Sequence, residues 1–335
     1  MMKSKFENFL VSIKNKNILI ITHDLVDIDG LVSCFILKFF LNQYFKNQEI
    51  SIYFSELSKS TKDFIKNFSE KFPKFNFAYQ KNINLSKINT ILIVDTTNLN
   101  QIKLNDNFDI SRLAIPYIFI DHHYLGKKSE IRDMGTSNLT FENYSSTAEI
   151  ILDLFEIYSI QLTIPLKILI IAAILTDSGF FKHGNNKTIQ NVSKLLCEDI
   201  NIQDVLFLLK SDIDISEKIA RIKGIQRVEL NREGELLIGI TNVSSFGASV
   251  ATMLLKLGFD IAIVLSKEAN QYRINTRAKK GVCIKTGLHL GKILEEISEQ
   301  YEGSGGGHDG AASLMINKET DYIITQIIER IKQYL

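Results

Sequence analysis

Apolar runs rich in β-branched residues recur at NILIITH (17–23), EISIYF (49–54), NTILIVD (89–95) and PYIFID (116–121). Strands that are apolar on both faces belong inside a covered sheet, and sheets of that kind are parallel. Between and after them, GLVSCFILKFFLNQYFK, SKSTKDFIKNF and TAEIILDLFEIYS carry helical patterns. The alternation predicts an α/β chain whose N-terminal domain has a mainly parallel sheet flanked by helices. Helical patterns dominate 146–228, where SDIDISEKIARIKGIQRVEL reads as a polar connecting helix. A smaller α/β unit begins at GELLIGITN and holds strands DIAIVLSKE, YRINTRA and SLMIN, helix LHLGKILEEISEQY and the glycine tract EGSGGGHDGAA. The expected domains are 1–205 and 229–335, joined by a linker helix over 206–228.

Composition narrows the class. The 335 residues are 45% hydrophobic and 23% charged, as in ordinary globular chains. Apolar stretches fall short of the ~20 residues that span a bilayer, so no membrane partner is expected. The opening MMKSKFENFLVSIKNKN has no long apolar core, and a cytoplasmic protein without a signal peptide is the expectation. A net charge of +1 speaks against a protein that holds long nucleic acid by a basic surface. Cys34, Cys197 and Cys283 form no CxxC pair, which argues against a disulfide framework and a thiolate zinc site.

Candidate chemistry gathers where strands end. His23, Asp27 and Asp29 have the spacing His-x3-Asp-x-Asp, Asp95 closes ILIVD, Asp121-His122-His123 follows YIFI, and Asp177 closes AAILTD. Each alone has a structural explanation: a helix cap for His23 or Asp95, a solvated loop for the paired histidines. Ligand sites of open α/β sheets lie beyond the carboxyl ends of the strands, so the repetition points to one shared cleft. Imidazoles and carboxylates without thiolates suit Mn²⁺, Fe²⁺ or Co²⁺.

With its Asp121-His122-His123 triplet, the chain resembles the DHH phosphoesterase superfamily, and GSGGGH (303–308) is similar to the GGGH signature of the associated DHHA1 domain. The resemblance covers nearly the whole chain, with motifs in the family's order. It implies a DHH catalytic domain, a DHHA1 substrate-binding domain and two divalent ions, most suitably Mn²⁺. One metal would be held by His23, Asp27 and Asp95, the other by Asp29, Asp95, His122 and Asp177, with Asp95 shared and His123 near the scissile phosphate. Two departures stand out: Val26 where many members have proline, and Ser304 in place of the first glycine of the commoner GGGGH form.

Two divalent ions neutralise a phosphodiester and activate water, and the carboxylate shared between them is assigned to Asp95. The resemblance assigns recognition to the second domain, with Arg277 matching the family's substrate-binding arginine, beside Gly305, Gly306, Gly307 and His308, the glycines admitting an anion to backbone N–H groups. For Arg273 surface charge is at least as good a reading, and the lysine pairs Lys127-Lys128 and Lys279-Lys280 read as solvated charge ahead of a phosphate path. The expected activity is a two-metal phosphodiesterase on short oligonucleotides or dinucleotides such as pApA, with cyclic dinucleotides and 3′-phosphoadenosine 5′-phosphate in the same class. The alternatives are a RecJ-like single-strand exonuclease and a non-catalytic nucleotide-binding regulator. A manganese pyrophosphatase shares the first domain, but the GGGH tract speaks against it. Oligomeric state is left open, a homodimer included.

Overall fold

The computed structural model describes residues 2–104, 110, 113–123, 137–211, 213–268, 271–301, 303–317 and 321–335. Two compact units divide at Asp212 and Ile213. In chain order the first holds α1 (Met2–Ile13), β1 (Ile18–Ile21), β2 (Leu25–Val26), α2 (Ile28–Tyr44), β3 (Ile50–Ile52), β4 (Glu56–Leu57), α3 (Lys59–Lys71), β5 (Thr90–Val94), β6 (Tyr117–Asp121), β7 (Leu139–Thr140), α4 (Thr147–Ile157), α5 (Ile164–Asp177), α6 (Asn186–Leu195) and α7 (Ile202–Leu208).

Its sheet has the order β3-β1-β5-β6-β7, with every neighbouring pair parallel. Successive side chains of a strand point to opposite faces. Ile18, Ile20, Leu92 and Val94 accordingly join the core made with the helices, while Leu19, Ile21, Ile91 and Ile93 join a second cluster. That second face is covered by irregular segments such as those carrying Ile102 and Leu104. Burial on both faces explains why the strands read as continuous apolar runs rather than as alternation.

The second unit holds α8 (Ile215–Gln226), β8 (Glu229–Glu233), β9 (Leu236–Val243), α9 (Gly247–Leu257), β10 (Ile261–Glu268), β11 (Gln271–Ala278), α10 (Lys280–Thr286), α11 (Leu290–Gln300), β12 (Ser304–Gly307), β13 (Ala311–Ile316) and α12 (Asp321–Lys332). The sheet order is β12-β13-β11-β10-β9-β8, in which β9 and β10 are parallel and the other pairs antiparallel. Leu290, Leu294 and Ile297 of α11 and Ile323 and Ile327 of α12 pack on Ile263, Ile274 and Leu314. On the opposite face Ala220 of α8 and Val250 and Leu254 of α9 cover Ala262 and Val264.

Two sequence expectations change. The segment read as a linker helix over 206–228 is divided: 206–208 close α7 in the first unit, whereas α8 is built into the second. A Cβ on Gly224 would meet Val250 Cγ1 at 2.5 Å, so α8 lies against α9 too closely to be a free connection. RVEL does not continue the helix. Glu229–Glu233 forms an antiparallel pair with β9 across Gly234, whose φ of 60° suits the reversal.

The glycine tract also differs from a loop. Ser304–Gly307 is an edge strand on β13, and α11 approaches it backbone to backbone. A Cβ on Gly291 would lie 2.2 Å from Gly307 O, and one on Gly305 would lie 2.5 Å from Leu294 O. Close packing explains the missing side chains at these positions.

Gly291→Ala is therefore expected to cost ~1–3 kcal/mol through overpacking. Gly281→Ala, whose added Cβ meets nothing within 4 Å, should be neutral or stabilising by up to about 1 kcal/mol, as expected for a helical glycine. Denaturant midpoints of the two variants check the contrast; equal midpoints would refute it.

Candidate metal centre

β1, β5 and β6 run in parallel, so their carboxyl ends open on one edge of the sheet. His23 follows β1, Asp95 follows β5 directly, Asp121 ends β6 with His122 and His123 behind it, and Asp177 ends α5. Asp27 caps α2, accepting from Gly30 N at 2.9 Å, and Asp29 lies in the first turn. All six residues expected to hold metals are brought together, in the groups His23-Asp27-Asp95 and Asp29-His122-Asp177, each with donor atoms within 4.8 Å of one another.

Asp95 stands between the groups. Its Oδ2 lies 3.7 Å from His23 Nε2 and its Oδ1 lies 3.6 Å from His122 Nε2. Its φ of 63° places it in the left-handed region, which Asp tolerates better than most residues. The turn is held because Asp95 N donates to Ile120 O at 2.9 Å, extending the β5–β6 ladder. Asp95 is 3% exposed and Asp29 1%, so this charge is taken out of water.

His123 is placed differently. Its Nδ1 is 2.8 Å from Asp121 Oδ1, which also accepts from the backbone N–H groups of His122 and His123. The ring is half-exposed and, with His23, Asp27 and Asp95, lines an open cavity of about 430 Å³. Sequence reasoning gave Asp121 no role of its own, although it fully buries its carboxylate and orients His123.

Three further residues went unread. Thr147 Oγ1 donates to Asp95 Oδ1 at 2.9 Å, and Thr147 N donates to Asp29 Oδ2 at 2.7 Å. Tyr144 offers its carbonyl to His122 Nδ1 at 3.3 Å. Gly30 leaves room: a Cβ there would meet Thr22 Oγ1 at 2.8 Å, His23 Nε2 at 3.3 Å and Asp95 Oδ2 at 3.4 Å. The signals were present in Asp-x-Asp-Gly and in Ser146-x-x-Glu149, the spacing of a capping box.

The donor set fits divalent cations. Asp121 Oδ2, His122 Nε2 and Asp177 Oδ2 are buried without a hydrogen-bond partner among the described residues. His122 Nε2 and Asp177 Oδ2 nevertheless lie 2.9 Å apart. An imidazole nitrogen and a carboxylate oxygen held this close could both serve one divalent cation.

In the second unit, Arg277, Asn275 and Arg273 alternate along β11 and share a face. Pairing puts Gly306 opposite Ser313 and Ser313 opposite Asn275, so Gly306 belongs to that face, and a Cβ added to it would meet nothing within 4 Å. Gly305 and Gly307 alternate to the other side. His308 is exposed and its carbonyl accepts from Gly291 N. Lys127 and Lys128 lie outside the described residues.

Without cations the cluster holds protons. Burial, then the charge of Asp177, raises Asp29 to about 7. Burial, followed by Asp29 and Asp27, also raises Asp95. Burial opposes a charged His122, but the carboxylates of Asp177, Asp29 and Asp95 outweigh it and raise the imidazole to about 10. His23 rises similarly, burial being outweighed by Asp27. His123 rises chiefly through its bond to Asp121.

Between the ordinary carboxyl value of 3.8 and about 7, folded Asp29 binds more protons than the unfolded chain, so stability falls as pH rises. His122 extends the loss from 6.5 to about 10. The metal-free protein should melt at a lower temperature at about pH 8 than at about pH 5, with Mn²⁺ raising the melting temperature more at the higher pH. Melting curves with and without Mn²⁺ test this; a Mn²⁺ effect independent of pH would contradict it.

The sequence matches the DHH family, N-terminal domain, over residues 17–176, and the DHHA1 domain over residues 241–335. An uncharacterized protein of Methanocaldococcus jannaschii is 31% identical over 309 residues, covering 90% of this chain and 88% of the relative. The crystal structure of an exopolyphosphatase-related protein from Bacteroides fragilis is similar in fold, with a TM-score of 0.66 at 16% identity over 99% of this chain and 95% of that one. No helix among the described residues is long and apolar enough to cross a membrane. The chain thus belongs to the DHH family of metal-dependent phosphoesterases and carries a DHHA1 domain.

Proposed function

We propose that the protein is a Mn²⁺-dependent phosphodiesterase that cleaves short oligonucleotides or dinucleotides to mononucleotides. The observation that carries the reading is the division of Asp95, one oxygen toward His23 and the other toward His122, between two groups of donors. His23, Asp27 and Asp95 would hold one cation, and Asp29, Asp95, His122 and Asp177 the other. Bound there, a cation pair supplies charge neutralisation, Lewis acidity and activation of water.

The protein's own groups do the rest. With Nδ1 committed to Asp121, His123 keeps Nε2 for the substrate, as donor to a phosphoryl oxygen or to the departing alkoxide. Arg277 presents a guanidinium fork suited to a terminal phosphate, on the same sheet face as the bare backbone of Gly306. Gly305 serves by letting the strand lie against α11 and Gly307 by its close approach to Ala311 and Ala312 of β13, and His308 adds a donor at the strand's end. A net charge of +1 favours a short substrate over a long strand.

A panel in Mn²⁺ buffer tests the reading: pApA, cyclic di-AMP, 3′-phosphoadenosine 5′-phosphate, pyrophosphate and a long single-stranded oligonucleotide. The dinucleotides should turn over fastest, and chelation should abolish activity. Dominant cleavage of the long strand would support the exonuclease instead. Asp95→Asn is expected to lower kcat by ~10²–10³, the order for loss of one electrostatic element of a site. Arg277→Ala should lose more on 5′-phosphorylated dinucleotides than on an unphosphorylated diester; equal losses would remove the arginine from terminal phosphate recognition.

A further inference from the structure

We infer that the first turn of α4 is a positioning device for the metal centre, and that the Thr147 hydroxyl is the group that sets the orientation of the shared carboxylate. The inference rests on the two-cation reading above and adds to it a residue that binds neither metal nor substrate.

One short segment reaches three candidate ligands that arrive on three different elements. The Thr147 hydroxyl donates to Asp95 Oδ1 at 2.9 Å. The N–H groups of Thr147 and Ala148 donate to Asp29 Oδ2 and Oδ1 at 2.7 and 3.1 Å. The Tyr144 carbonyl lies 3.3 Å from His122 Nδ1, a contact that leaves Nε2 for a metal. Thr147, Asp29 and Asp95 are all buried, so these bonds are made away from bulk water.

Thr147 is not needed as a cap. Ser146 takes that place, its side chain accepting from Glu149 N, while Glu149 accepts from Ser145 N at 2.9 Å and from Asn191 Nδ2 at 2.8 Å. The preceding residue is fixed as well: Tyr144 OH donates to Asp153 Oδ2, and Lys187 Nζ lies 2.8 Å from that oxygen and 2.9 Å from the Tyr144 hydroxyl. The segment is thus held by its own network and serves as a rigid reference.

The two oxygens of Asp95 face different groups of donors, so rotation of its carboxylate would turn both away at once. The donor on Oδ1 restricts rotation of the Asp95 carboxylate and leaves that oxygen with a lone pair for a cation. Outer groups that orient ligands in this way typically change metal affinity by ~10–100-fold when removed.

Mn²⁺ titration followed by the EPR signal of the free ion, on wild type, Thr147→Val and Thr147→Ser, tests the inference. Valine keeps the shape and removes the hydroxyl, and serine keeps the hydroxyl and removes the methyl. Thr147→Val is expected to bind Mn²⁺ ~10–100-fold more weakly, with Thr147→Ser within about threefold of wild type. Should circular dichroism show Thr147→Val unfolded, Thr147→Ala takes its place. Wild-type affinity in the hydroxyl-free variant, or equal losses in valine and serine variants, would overturn the inference and leave the metal-centre reading standing. Wild type that takes up no Mn²⁺ would overturn both.

Discussion

Negative charge buried at the carboxyl edge of a parallel sheet has to be answered by positive charge, and the rest of the first unit is arranged around that necessity. Asp29, Asp95 and Asp121 are each at most 3% exposed. Carboxylates so far removed from water stay ionised only when paired or hydrogen-bonded. Asp121 is answered by N–H groups of the two residues after it, and Asp29 by the start of α4. Asp95 has one protein hydroxyl and two facing imidazoles, the least complete set of the three. The deficit falls at the position best placed to be shared.

The same arrangement accounts for a left-handed backbone and a missing side chain where most strands and helices would have neither. Asp95 turns immediately after β5, which swings its carboxylate across the sheet edge instead of along it. Gly30 lets the first turn of α2 lie close beneath. Both features cost stability in isolation. They persist because β1, β5 and β6, apolar on both faces, form a frame stiff enough to impose them.

What was legible in the sequence follows the same division. The strands of the first unit were readable because doubly buried strands are almost wholly apolar, and the ligand residues because charge at the end of such a run is conspicuous. Thr147 was not readable: its partner Asp95 is 52 positions away, and a threonine at a helix start has an ordinary reading as a cap. Asp121 was overlooked beside two histidines, although its fixed carboxylate holds Nδ1 of the second ring. The glycine tract failed in another way. Composition reads three glycines as a loop, whereas Gly305 is demanded by the close approach of α11, Gly307 by that of β13, and Gly306 and Gly307 by positive φ, none of which local sequence reveals. Likewise RVEL carries no marker of its pairing with β9 beyond the single glycine at the turn.

The edge strand β12 has a consequence for how the chain behaves before and between folded states. A sheet margin is a template on which foreign strands can grow, and proteins guard such margins with short or poorly strand-forming segments. Here the margin is four residues long and three of them are glycine, the residue that gains least from extended pairing with a stranger. The opposite margin, Glu229-Leu230-Asn231-Arg232-Glu233, is charged. The glycines that suit β12 to its close neighbours therefore also leave this margin of the second unit with little side-chain surface to offer an intermolecular sheet.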